Sequence, residues 1–259
     1  MTPMILRAEH LSRRFGGVAA VEDVSFALPA GCIAGLIGPN GAGKTTLFNL
    51  IAGSLKPSAG RLTFAGRRID GRPPHAVYAA GIARTFQIPR PFAAMTVLEN
   101  LMVAPRRQAG ERFWRNWLAS GAIAAEERRL ADKARGLLAF LGLERLAGEP
   151  ARVLSGGQRK LLELGRVLMA DPQLILLDEP GAGVAPPLLA VIVEKIAALN
   201  AGGIGFLVIE HNMDLVMSLC RPILVMAQGR LLLEGSATEV RADPRVLEAY
   251  LGGAAAPAR

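Results

Sequence analysis

Eight consecutive residues constrain this chain more than any others. Gly38-Pro39-Asn40-Gly41-Ala42-Gly43-Lys44-Thr45 follows an unbroken apolar run, Ile33-Ala34-Gly35-Leu36-Ile37, and leads into a helical stretch that stops near Gly53. The apolar run reads as a strand buried on both faces. A strand, a glycine-rich loop and a helix in that order form a phosphate cradle. Backbone N–H groups and the positive end of the helix dipole face the anion, and the glycines permit close approach of the backbone. Lys44 is expected to bridge the β- and γ-phosphates of a nucleoside triphosphate, and Thr45 to hold Mg²⁺. Gly38, Pro39, Asn40, Gly41, Ala42, Gly43 and Thr46 complete the expected nucleotide contacts.

A second signal lies far downstream. Leu174-Ile175-Leu176-Leu177-Asp178-Glu179 is another apolar run, with carboxylates at its C-terminal end. Open α/β sheets bind ligands at that end of their strands. Asp178 is expected to orient Mg²⁺ through water, and Glu179 to act as general base on the attacking water. Between the two signals, Leu154-Ser155-Gly156-Gly157-Gln158 opens a helix that carries Leu161, Leu164, Gly165 and Leu168 on one face. Ser155 suits an N-cap, and the glycines leave the helix end open to an anion.

The remaining sequence supplies a scaffold. Residues 4–35 read as β-rich, with short runs at Ile5–Ala8 and Val21–Phe26 separated by Gly16-Gly17. A hairpin is expected over Leu62–Ile69, a short helix after Pro73-Pro74 and a strand at Ile82–Thr85. From about 88 to 170 strand signals vanish, and mixed charged and apolar residues such as Glu126–Leu143 read as helices. Strand character resumes at Leu174, then at Phe206–Ile209, Ile223–Met226 and Leu231–Glu234, with a helix after Pro186-Pro187. Gly252–Arg259 is expected to fray.

Composition narrows the setting. No stretch approaches the ~18 apolar residues of a membrane span, and the first residues lack the pattern of a secretory signal. A cytoplasmic location is the expectation. Cys32 and Cys220 have no nearby Cys or His partners, so neither a disulfide nor a zinc site is expected, only two small buried side chains. The net charge of +8 is carried mostly by Arg. Its densest cluster, Arg106, Arg107, Arg112 and Arg115 interleaved with Phe113, Trp114 and Trp117, suits a helical surface with aromatics packed inward, a lipid-facing segment or a single-stranded nucleic-acid groove.

Taken in order, these motifs resemble the ATP-binding subunits of ABC transporters. The resemblance spans nearly the whole chain and implies an α/β fold. It would comprise a P-loop NTPase core of the ABC ATPase type, an N-terminal antiparallel β subdomain and an inserted helical subdomain. The expected organisation is a single domain, 1–259, with core segments 1–87 and 171–259 and helices over 88–170. In that family the signature Ser155-Gly156-Gly157-Gln158 of one subunit completes the nucleotide site of another, so that two subunits sandwich two ATP molecules. The resemblance further assigns Gln87 to the metal or attacking water and to sensing the membrane partner, His211 to the γ-phosphate, and Phe15 to stacking on adenine. It implies ATP and Mg²⁺ as cofactors, integral membrane permeases as partners and a peripheral place on the cytoplasmic face of the bacterial inner membrane.

One position departs from the pattern. Ala185, in Pro180-Gly181-Ala182-Gly183-Val184-Ala185, stands where the family usually has Asp or Asn, a side chain that helps link the two sites. The expectation is a second, different ATP-binding chain that supplies the contact. Gly81–Gln87, Met95–Asn100, Ile209–Met213, Glu248–Gly252 and the basic segment 105–130 resemble the branched-chain amino acid importer group, which also works with a periplasmic solute-binding protein. Importers of urea or short amides, lipopolysaccharide exporters and soluble ABC-type ATPases acting on nucleic acid or ribosomes are the alternatives, with no nucleic-acid partner expected.

Overall fold

Three strands are apolar and buried at every position: β3 (Ile33–Ile37), β7 (Leu174–Asp178, apolar up to its terminal carboxylate) and β8 (Gly205–Ile209). Such strands have no solvent face, so they fill the centre of a sheet covered on both sides. In the computed structural model, which describes residues 3–85, 90–105 and 120–252, they do so. With β6 (Ile82–Arg84), β9 (Ile223–Ala227) and β10 (Arg230–Gly235) they form a six-stranded sheet in the order β10-β9-β3-β8-β7-β6. All pairings are parallel except β9 with β10.

A second sheet is antiparallel, in the order β2-β1-β4-β5, from β1 (Met4–Phe15), β2 (Val18–Pro29), β4 (Ala59–Phe64) and β5 (Arg67–Arg68). The first two strands run to 12 residues each, longer than the short runs the sequence suggests. The apolar alternation slips at bulges, where His10 and Asp23 take positive φ and pair across the strands at 2.8 Å. A period broken in that way leaves only part of each strand legible as a run. Leu6, Ala8, Leu11, Val21, Val24, Phe26 and Leu28 still face one core, shared with Leu47, Phe48, Leu50 and Ile51 of helix α1 (Lys44–Ile51).

The described chain divides into two compact units. One holds Met1–Arg84, Gln173–Gly181 and Ile196–Arg259 and contains both sheets. It also carries α1, the short α2 (Pro74–Ala80) and three later helices introduced below. The other holds Thr85–Pro172 and Ala182–Lys195. Its helices are α3 (Val97–Met102), α4 (Ser120–Phe140), α5 (Gly156–Leu168) and the first part of α6 (Pro186–Ala201). Within this unit fully buried Asn100 accepts from the Phe92 N–H at 2.8 Å and donates to the Phe92 and Thr96 carbonyls, which fixes the approach to α3.

Both cysteines are free, but only Cys220 is buried; Cys32 is half-buried. Burial still pushes the Cys32 thiol up to about 11 and the Cys220 thiol to about 12. Among the described residues no helix is long and apolar enough to cross a membrane. The basic aromatic cluster at 106–117, the Phe86-Gln87 pair and Gly253–Arg259 lie outside the described residues.

Candidate functional site

Parallel pairing puts the C-terminal ends of β3, β8 and β7 side by side. Ile209 of β8 is in register with Leu36 of β3 on one side and with Asp178 of β7 on the other. The segments that leave these three strands are the glycine-rich loop, Glu179 and His211, so three separated pieces of sequence converge on one sheet edge.

The loop is shaped by contacts that exclude side chains. A Cβ on Gly38 would stand 2.1 Å from the Met226 carbonyl oxygen, and one on Gly43 would stand 2.3 Å from that of Ala20. Gly38 and Gly43 also take positive φ, so no other residue fits either place. The β9–β10 turn braces the loop, with the Gly229 N–H donating to the Ala42 carbonyl at 3.1 Å. Helix α1 then starts at Lys44 with no side-chain cap, which leaves its positive end for an anion. The Lys44 ammonium is buried and folds over the loop, donating to the Gly38 and Pro39 carbonyls at 2.8 and 2.9 Å. Burial pulls its pKa below the ordinary lysine range, and the Glu179 carboxylate pushes it back up.

Glu179 leaves β7 with φ of 50°, in the left-handed region that a side chain of its size seldom adopts. Its N–H donates to the Ile209 carbonyl at 2.9 Å, and its Oε1 lies 2.9 Å from Nε2 of His211. The strained turn aims the carboxylate at the switch between strands rather than along β7. Asp178 is buried and accepts from Nη2 of Arg84 at 2.9 Å.

Other residues singled out in the sequence lie on elements of their own. Phe15 lies at the end of β1, 46% exposed, with the Arg13 guanidinium 4.7 Å from its ring centroid, so it is no part of the core. Ser155 belongs to the other compact unit. There it caps α5 through a reciprocal box: the Gln158 N–H donates to its hydroxyl, and its own N–H donates to the Gln158 side chain at 2.9 Å. Gly156 is open, whereas a Cβ on Gly157 would stand 2.0 Å from Leu188. The second signature glycine therefore answers to packing. Gln87 lies outside the described residues.

The ABC transporter family profile matches residues 21–182, a span that contains the glycine loop, the Ser155 motif and Asp178-Glu179. The chain belongs to the ABC transporter family. It is an ABC-type ATPase, with the α/β fold of that family. A separate profile described as branched-chain amino acid ATP-binding cassette transporter matches residues 230–256 of the ATPase. The protein named "Probable branched-chain amino acid transport ATP-binding protein LivG" of Archaeoglobus fulgidus is 42% identical, covering 96% of this chain and 95% of its own. A high-affinity branched-chain amino acid transport ATP-binding protein of Salmonella typhimurium is 39% identical, over 98% of this chain and all of its own. Among solved structures, an ABC-transporter cassette in its ADP conformation superposes with a TM-score of 0.84 at 40% identity, covering 97% of this ATPase and 100% of that chain. A nucleotide-free cassette gives 0.82 at 39% identity, covering 95% and 98%. As an ABC-type ATPase, the chain takes ATP as its substrate.

Three contributors to the site escape a sequence reading. Buried Glu210 accepts the backbone N–H of Gly181, of His211 at 3.0 Å and of Asn212 at 3.3 Å, so one carboxylate ties the segment after Glu179 to the one holding His211. Tyr250, on the C-terminal helix α9 (Pro244–Gly252) that follows α7 (Met213–Leu219) and α8 (Ala237–Ala242), reaches the loop. Burial raises its phenol pKa, and a backbone hydrogen bond from Gly38 opposes that rise. Arg84 is the third. All three fall within stretches that resemble the importer group, yet no spacing there assigns them a role; their contacts come from elements distant in sequence.

Proposed function

We propose that this chain is the ATP-hydrolysing subunit of an importer for branched-chain or related hydrophobic amino acids, docked on the cytoplasmic face of a membrane permease. The observation that carries the catalytic part is the 2.9 Å contact between Glu179 and His211 at the edge where the glycine loop also ends. Glu179 acts as general base on the attacking water, and His211 holds that carboxylate and contacts the γ-phosphate. Lys44 trades its two loop carbonyls for the β- and γ-phosphates when ATP arrives, and residues 38–46 supply the remaining phosphate contacts. The exposed Phe15 ring suits stacking on adenine.

The donor set fits Mg²⁺. Among the described residues no three His, Cys, Asp or Glu gather into a cation cage. Thr45 and Asp178 are oxygen donors of the sparse kind that Mg²⁺ uses together with phosphate oxygens and water. Thr45, Asp178 and Gln87 would hold it, and when bound it offsets charge on the β- and γ-phosphates.

The solute reading rests on the named relatives and on the match at residues 230–256. The Ser155 motif completes the site of a second ATP-binding subunit, of a different chain, so that ATP closes the pair and hydrolysis releases it. A permease and, through it, a periplasmic solute-binding protein complete the system.

Glu179→Gln tests the chemistry. The variant should bind ATP normally and lose roughly 10²–10⁴-fold in turnover in a phosphate-release assay. Near-normal turnover would remove Glu179 from the role of base. Solute assignment is tested separately: deleting the chain should abolish uptake of labelled leucine and leave urea uptake intact, and the reverse pattern would move the system to the amide importers.

A further inference from the structure

Arg84 is the last residue of β6, and its guanidinium is forked between two elements of the site. Nη2 donates to Oδ2 of Asp178 at 2.9 Å, while Nη1 donates to Oδ1 of Asn49 on α1. The side chains of Arg84 and Asp178 are only 17% and 9% exposed, and the guanidinium carbon lies 5.8 Å from the ring centroid of buried Phe48. Asn49 stands four residues after Thr45, so the two share a face of α1. One arm of the fork thus holds the helix face that carries the Thr45 hydroxyl, and the other holds the Asp178 carboxylate.

We propose that Arg84 is a positioning residue for the magnesium ion of the ATP site, clamping Asp178 of β7 against the Thr45–Asn49 face of α1. This rests on the reading of Thr45 and Asp178 as the metal's protein donors. The physical reason lies in geometry and burial together. A carboxylate this enclosed is costly to bury without a cationic partner. A planar guanidinium with one arm on Asp178 and the other on Asn49 also fixes where that carboxylate points. Partners behind a metal's ligands set the ligand orientation, and losing one typically weakens metal binding by 10- to 100-fold. A cation beside a metal ligand could instead compete with the metal, and that alternative predicts the opposite sign.

Nucleotide affinity read with and without metal separates these cases, using ADP alone, ADP with Mg²⁺, and Mn²⁺ with ADP followed by electron paramagnetic resonance. Arg84→Met keeps the aliphatic stem against Phe48 and removes the fork. It should leave the affinity for metal-free ADP unchanged and cut the gain from metal by roughly 10- to 100-fold. Arg84→Lys should restore little of that gain, because a single ammonium nitrogen on an unbranched stem cannot replace two guanidinium nitrogens directed separately at Asn49 and Asp178. An undiminished or larger metal gain in Arg84→Met overturns the proposal, as does full restoration by Lys. If Arg84→Met fails to fold, Asn49→Leu decides. It removes one arm and spares the ion pair, so a smaller loss of metal gain supports the clamp and no loss overturns it. Asp178→Asn keeps the two readings apart. If that variant retains the full metal gain, the assignment of Asp178 to the metal fails. If it loses the gain while Arg84→Met does not, only the role of Arg84 fails.

Discussion

At the scale of single residues, the site depends on carboxylates that do different jobs in almost the same place. Glu179 meets the His211 side chain at the C-terminal exit of β7, whereas Glu210, on the neighbouring exit, is filled by backbone N–H groups. A buried carboxylate with three such donors organises the chain rather than reacting. Glu210→Gln replaces one accepting oxygen with an NH₂ group that faces the same donors. The expected outcome is a loss of about 1.5–3 kcal/mol in urea unfolding, in line with hydrogen bonds to charged groups. ATP turnover should fall as well, because His211 loses its backbone anchor. Unchanged stability and turnover would show that water replaces the carboxylate without cost. The placement of Lys44, Thr45, Asp178 and Glu179 is legible in the sequence because each follows an apolar strand or a glycine loop. The meaning of Glu210 and Arg84 is not, because it comes from the register of β6, β7 and β8, which no local pattern encodes.

At the scale of elements, the helix that Ser155 caps shows how much of an element a local pattern carries. The Ser155 cap and the apolar face Leu161, Leu164, Gly165 and Leu168 were visible as pattern, and α5 has both. The packing demand on two glycines was not visible, since it comes from partners distant in sequence. A Cβ on Gly165 would stand 2.9 Å from Leu141, and one on Gly157 only 2.0 Å from Leu188. Gly157→Ala should therefore destabilise the protein by about 1–3 kcal/mol through overpacking. Leu188→Ala opens the space, so the same glycine substitution made in that background should cost at least about 0.5 kcal/mol less. Chemical denaturation of the four proteins in the cycle measures the difference. Equal costs in both backgrounds would mean that Leu188 swings aside freely and that Gly157 is kept for another reason. The long β1 and β2 strands show the converse: their bulges hide their full length from a period-two reading, although their core faces are plainly apolar.

At the scale of the whole molecule, Ala185 joins a local cap to the proposed pairing of two ATP-binding subunits. Its carbonyl accepts from the Leu188 and Leu189 N–H groups at 3.0 Å, so it occupies the cap position of α6, where a methyl group satisfies no donor. Ala185→Asp should stabilise the isolated chain by roughly 0.5–2 kcal/mol as an added cap, whatever partner it has. Its effect on assembly is separable. If two ATP-binding subunits meet across their nucleotides, a pair made of this chain alone carries Ala at both crossings, whereas a pair with a different chain bearing Asp or Asn carries one polar link. In the Glu179→Gln background, which retains ATP, sedimentation with nucleotide should show this chain alone remaining monomeric at micromolar concentration and pairing with the second chain. Adding Ala185→Asp should promote self-pairing. A stable self-dimer of the Glu179→Gln protein, unaffected by Ala185→Asp, would overturn the heterodimer and leave the cap as the whole consequence of residue 185.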